Sequence, residues 1–124
     1  MKQGVRLLLF AFIILLNACT GSQKTLTGEQ AFDQKQYLVA AKLLEAEIAA
    51  SKDEEEKAAK SLLIAQAYGY ANKNKEATEW AKKAYELNNR KPELFYAYID
   101  KLRANSDYAS CITQLEKFAK QRPS

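Results

Sequence analysis

The chain has 124 residues, of which 48% are hydrophobic and 27% charged, with four Gly and two Pro. This length suffices for one small domain, and abundant Ala, Leu, Lys and Glu favour an all-helical fold over a collagen-like, low-complexity or disordered chain. The sequence contains no His. The absence of His excludes Ser-His-Asp hydrolysis, histidine acid–base catalysis and the common zinc sites.

The first predicted element is a signal peptide over residues 1–18. Residues 1–6 are short and basic, and residues 7–16 (LLLFAFIILL) form an uncharged apolar run. That run is about half of what spans a bilayer as a helix. The alternative, an anchor helix retained in the mature protein, needs further apolar residues, but residues 17–24 are small and polar.

The end of this segment resembles the bacterial lipobox. Leu16 lies three residues before Cys19, and the small residue Ala18 directly precedes the cysteine. The resemblance implies diacylglycerol attachment to Cys19, cleavage after Ala18 and acylation of the new amine. Several acyl chains hold a protein on a membrane more firmly than one. Thr20 follows the cysteine where Asp would favour the inner membrane of enteric bacteria, so we expect the outer membrane, with the inner membrane as the alternative.

Removal of the signal peptide leaves a nearly neutral chain. It takes away Lys2 and Arg6, so that 17 Lys and Arg face 15 Asp and Glu of interspersed sign. The sequence has no stripe of basic residues that could follow a phosphate backbone, so no nucleic-acid partner is expected. Residues 19–26 comprise the lipidated cysteine and a tether of at most about 25 Å, which would hold the domain of residues 27–124 against the membrane.

This domain repeats an apolar pattern at a constant offset in the chain. One helix face occurs as Ser61, Ile64, Ala65, Tyr68 and recurs as Phe95, Tyr98, Ile99, Leu102. A second face occurs as Ala77, Ala81, Ala84 and recurs at the same offset as Cys111, Leu115, Phe118. The spacing predicts two pairs of helices.

An earlier pair is predicted over residues 28–50, and its offset to the next pair is three residues longer than the offset between the two later pairs. Its first helix is short and begins with a capping box at Thr27. The acidic run at residues 51–56 predicts the start of the next helix, capped by Ser51 or Asp53. A helix start explains these carboxylates better than a metal site, which needs oxygens converging from a loop.

The helix-turn-helix repeat, with a small residue opening the second helix and Pro123 at the end, resembles the tetratricopeptide family, whose period of about 34 residues it shares. The resemblance covers most of residues 27–124 and implies an all-α fold of about three units in a short right-handed solenoid. Ala65, Tyr68 and Ala77 match the family's small and aromatic positions. Cys111 replaces a usual Ala, an apolar exchange that spares packing.

In this family the first helices line a concave groove that binds peptides. The resemblance therefore implies partner contacts at Leu62, Gln66, Tyr70, Tyr96, Asp100 and Arg103. We expect Tyr70, Tyr96 and Arg103 to be the anchors, because Tyr and Arg concentrate binding energy. The alternative is that they coat a solvated helix. Gln66 and Asp100 stand at positions where family members that clamp a C-terminal carboxylate use Lys and Asn, so no such clamp is expected.

The last predicted helix has an apolar stripe that we expect to be buried: Tyr108, Cys111, Ile112, Leu115, Phe118 and Ala119. Cys111 would be a free core thiol, because lipidation uses Cys19 and leaves no disulfide partner. Trp80 is predicted to fill core space. No polar capping helix follows the third unit, so we expect a partner, a second copy or further sequence to cover the last helix.

Together these features predict an outer-membrane lipoprotein on the periplasmic side, acting as a binding scaffold in an envelope assembly or secretion complex. A weaker resemblance, in the segments AYGYA and YAY, is to the N-terminal tetratricopeptide part of a Bacteroidota type IX secretion lipoprotein. The alternative is a periplasmic chaperone-like protein that holds clients transiently. Glu45 with Glu47 and Glu76 with Glu79 are polar helix positions, so neither an enzyme nor a cofactor or metal is expected.

Overall fold

A computed structural model describes residues 24–122, and these residues form an all-α fold. The six helices are α1 (Gly28–Asp33), α2 (Tyr37–Ala50), α3 (Glu54–Tyr70), α4 (Asn74–Leu87), α5 (Pro92–Ala104) and α6 (Tyr108–Gln121). None of the helices in this range is long and apolar enough to cross a membrane. The predicted signal peptide, the lipidated Cys19, most of the tether and Pro123 lie outside the described residues.

Side chains cap α1 and α3 at positions that the sequence predicted. The Thr27 hydroxyl accepts from the Gln30 amide at 3.2 Å, and the Gln30 side chain accepts from the Thr27 amide at 3.1 Å, which confirms the capping box of α1. Asp53 accepts from the amides of Glu55 and Glu56 and thereby starts α3. The acidic run is therefore the first turn of a helix, where carboxylates stabilise the positive end of the dipole.

The same tight turn joins α1 to α2, α3 to α4, and α5 to α6. Lys35, Asn72 and Ser106 each adopt a left-handed conformation, with φ of 60°, 59° and 58°. In all three turns the next amide reaches back to a carbonyl five residues earlier, as Lys73 does to Tyr68 at 2.8 Å. This is the Schellman arrangement, which satisfies the last carbonyls of a helix. Its recurrence at the predicted spacings makes the six helices three similar hairpins.

Small side chains on the even-numbered helices let the odd-numbered helices approach closely. Ala41, Leu44 and Ile48 of α2 pack on α3, and Ala81 of α4 packs beneath Phe95 and Tyr98 of α5. Trp80 lies between these two clusters and fills core space as predicted. Cys111 is a buried free thiol, also as predicted.

The prediction of a buried stripe along α6 is wrong except at Cys111 and the partly buried Phe118. Tyr108, Ile112 and Leu115 are 62%, 57% and 43% exposed, and Ala119 is exposed as well. The apolar spacing is correct, but only one side of α6 has a neighbour. Among residues 24–122 no helix follows α6 to cover its other side in the way that α3 covers α2 and α5 covers α4.

Candidate functional site

One face of α3 forms the floor of a groove. Ala59, Leu62, Gln66 and Gly69 follow one another at spacings of three or four residues and so lie along a single helix face. Two pockets open along that face. Each is completed by residues from a neighbouring hairpin, so the groove exists only when the hairpins pack together.

The first pocket, here called the leucine pocket, lies between the N-terminal half of α3 and the start of α5. Its volume is about 510 Å³, and Ala58, Leu62 and Leu94 form its apolar floor. An ion pair between Lys91 and Glu55 bridges the two helices at the rim, and the hydrogen bond to the carboxylate raises the pKa of Lys91. The site suits an aliphatic side chain, because the floor is apolar and the rim is charged.

The second pocket, here called the tyrosine pocket, lies at the C-terminal end of α3. Its volume is about 360 Å³, and it is lined by Phe32, Gln66, Gly69, Tyr70 and Lys101. The Tyr70 ring stacks on Tyr37 with centroids 4.9 Å apart and meets Phe32 edge-on at 6.0 Å. Tyr70 nevertheless remains 64% exposed. Packing thus fixes the ring from behind and leaves its outer surface open to a ligand.

The absence of a side chain at Gly69 gives Lys101 its place in the tyrosine pocket. A Cβ atom at residue 69 would lie 2.6 Å from the Lys101 ammonium nitrogen, so the ammonium group could not keep this position beside a larger residue. Among the described residues no carboxylate lies within ion-pair distance of Lys101. The adjacent Asp100 instead faces Arg103 at 3.5 Å.

The six predicted contact residues divide into two groups. Leu62, Gln66 and Tyr70 line the two pockets. Tyr96, Asp100 and Arg103 are exposed on α5 and line neither pocket. Asp100 and Arg103 form an exposed ion pair with each other.

Tyr96 has contacts of a different kind. Its ring lies against Phe95 and Phe118 with centroid separations of 5.7 and 6.1 Å. It is therefore held beside α6 at the C-terminal end of the described structure, away from the two pockets, and adds to the exposed apolar surface there.

Sequence reasoning missed Lys101, Phe32 and Tyr37. Position-by-position comparison of the repeats assigns groove residues only within each first helix, whereas Lys101 and Phe32 enter the pocket from neighbouring hairpins and Tyr37 supports the Tyr70 ring. One available signal was Gly69 itself. A glycine on an exposed face of a long helix costs stability unless another group approaches it closely.

The carboxylates Glu45 and Glu47 have structural partners. Glu47 accepts from the Gly28 amide at 2.8 Å and pairs with Lys60 at 3.0 Å, which links α1, α2 and α3. Glu45 accepts from the Tyr68 hydroxyl at 3.0 Å, and burial together with this hydrogen bond raises the pKa of Tyr68. No group of side chains suited to hold a metal ion occurs within residues 24–122.

No family model, curated protein or solved structure matches this chain. The surface of the molecule is therefore what bears on function. It offers two concave pockets on one face of α3, one apolar and one aromatic with the Lys101 ammonium group. Concave apolar pockets with a few converging polar groups are the usual form of a binding site.

Proposed function

We propose that this chain is a lipid-anchored, tetratricopeptide-like scaffold that binds an extended segment of another envelope protein along α3. The single observation that carries the proposal is the pair of pockets on one face of α3, both completed by residues of α5 and the tyrosine pocket also by Phe32 of α1. A peptide lying along this face would contact all three hairpins. Type IX secretion is one candidate setting, through the sequence resemblance alone.

The three recurring turns support the tetratricopeptide-like part of the proposal. Hairpins with the same left-handed turn, at Lys35, Asn72 and Ser106, are what stacked helical repeats require, because each unit must present the same face to the next. The buried alanines at equivalent positions, such as Ala40 and Ala77, agree with this interpretation.

Membrane anchoring through Cys19 is the second part of the proposal, supported by the lipobox resemblance. Wild-type protein from a bacterial host is expected in the detergent phase after detergent phase separation, and the Cys19→Ser variant in the aqueous phase. Acyl chains contribute roughly 0.8 kcal/mol per buried CH₂, so their loss should move most of the protein. If the variant remains in the detergent phase, the proposal of a lipid anchor at Cys19 is wrong.

Site-specific photo-crosslinking in cells tests the binding function. A photoreactive amino acid is introduced at Gln66 or Tyr70 in the groove and, as a control, at Lys82, an exposed residue of α4 that lines neither pocket. One discrete adduct from both groove positions and none from Lys82 is the expected result. A continuum of adducts would favour the chaperone-like alternative, and adducts only from Lys82 would refute a groove on α3.

A further inference from the structure

We infer that the groove selects an extended peptide in which an aliphatic side chain and an acidic side chain lie four residues apart. This inference rests on the proposed function, because it assumes that a peptide lies along α3, and it adds the chemistry of that peptide. The leucine pocket takes the aliphatic side chain, and the tyrosine pocket takes the carboxylate.

The charge of the tyrosine pocket determines which group it takes. The Lys101 ammonium has no carboxylate within ion-pair distance among residues 24–122, and Gln66 supplies an amide donor beside it. The edge of this pocket is the exposed face of Tyr70, which can pack on the methylene groups of a Glu side chain. A carboxylate here would complete an ion pair that the fold leaves open, which is the charge complementarity that gives interfaces their specificity.

The leucine pocket differs in its apolar floor and in carrying charges of both signs at its rim. Lys91 is occupied by Glu55 at the rim, and the floor consists of Ala58, Leu62 and Leu94. Arg90 and Glu93 add one charge of each sign to the rim, so the rim favours neither sign, whereas the apolar floor accommodates an aliphatic side chain. Burying a Leu-sized side chain there removes apolar surface from water, which favours binding.

The distance between the pockets sets the spacing. The α3 residues of the leucine pocket centre about ten positions before those of the tyrosine pocket, which at about 1.5 Å per residue corresponds to roughly 15 Å. An extended peptide advances about 3.3 Å per residue. Four residues therefore span about 13 Å, and the reach of the two side chains covers the remainder. Side chains four residues apart also point to the same side of an extended strand.

The test is a selection of displayed peptides on the full chain. A library of random peptides of about twelve residues, which span about 40 Å when extended, is bound to the immobilised protein. The peptide is displayed within the sequence of its carrier protein, away from the carrier's termini, so that its only carboxylates are those of Asp and Glu side chains. Enrichment of an aliphatic residue and an acidic residue four apart is the expected result.

Matched variants then identify the pocket. Lys101→Gln should weaken binding of a selected, terminally blocked peptide about tenfold or more, because a hydrogen bond to a charged group contributes about 1.5–3 kcal/mol. Lys101→Arg should retain most of the affinity, and Lys82→Gln, an equal change of charge outside the groove, should have no effect. Gly69→Ala should weaken binding as well, since its Cβ displaces the ammonium group.

Changes in the peptide and in the leucine pocket complete a double-mutant cycle with Lys101→Gln. Replacing the acidic residue of the peptide by its amide should remove the difference in affinity between wild type and Lys101→Gln. Ala59→Gln narrows the leucine pocket from an exposed position, so it should weaken binding without affecting that difference in affinity. Enriched peptides without an acidic residue, or equal losses for Lys101→Gln and Lys82→Gln, would overturn the inference and leave groove binding intact. If no peptide binds wild type better than Ala59→Gln, the proposed function fails with it.

Discussion

Leu44 and Leu115 occupy the same place in the repeat but different environments, and this difference can be measured. Leu44 is completely buried where α3 covers α2, whereas Leu115 on α6 is 43% exposed. Replacing a buried Leu by Ala lowers the free energy of unfolding by about 2–5 kcal/mol. Replacing a Leu that buries little more than half of its surface should lower the free energy of unfolding by about 1 kcal/mol.

Urea denaturation of the two variants, followed by circular dichroism, gives both values on one scale. We expect the free energy of unfolding to fall by at least about 1 kcal/mol more in Leu44→Ala than in Leu115→Ala, with the same slope against urea concentration in both variants. Equal losses would refute an uncovered α6 face. If the loss for Leu115→Ala also depended on protein concentration, a second copy would be the group that covers it.

Three further predictions concern single side chains. Gly28→Ala should lower the free energy of unfolding by about 1–3 kcal/mol in the same urea titration, because the new Cβ would clash with the Leu44 side chain. A more stable variant would mean that α1 does not lie so close to α2. Ser61→Ala should raise it by about 1–2 kcal/mol, since the Ser61 hydroxyl is buried with no hydrogen-bond partner in the described structure; a loss would indicate that the hydroxyl has a partner. Burial raises the pKa of Glu47, but the Gly28 amide and Lys60 outweigh it and hold the pKa below 4.5. Glu47 therefore stabilises the fold above about pH 4.5 and ceases to do so as the pH falls through its folded pKa, so wild type and Glu47→Gln should converge in stability in acid titrations; a constant difference would contradict this.

Much of the local structure could be predicted from the sequence because its causes are local. Thr27 and Asp53 cap helices through groups two or three residues away, so the capping signatures are complete within a few positions. The repeated apolar pattern likewise predicted which helices form pairs. The burial of Cys111 was predicted from its apolar stripe, but the same stripe also predicted burial of Ile112 and Leu115, which are exposed.

The candidate site could be predicted only in part, for a reason visible at Lys101. Leu62, Gln66 and Tyr70 lie on one helix, and helical spacing alone puts them on a common face. Lys101 joins them from α5, and Phe32 from α1, through packing between hairpins that no spacing within a helix encodes.

What the sequence by itself determined is therefore the set of helices, their caps and their apolar faces, all of which depend on residues close together in the chain. Only the tertiary structure decided which apolar faces are covered. Leu44 and Leu115 have the same spacing to their neighbours, but a following helix buries the first, and none within residues 24–122 buries the second. Burial depends on what lies opposite a side chain, and that is a property of the assembled helices.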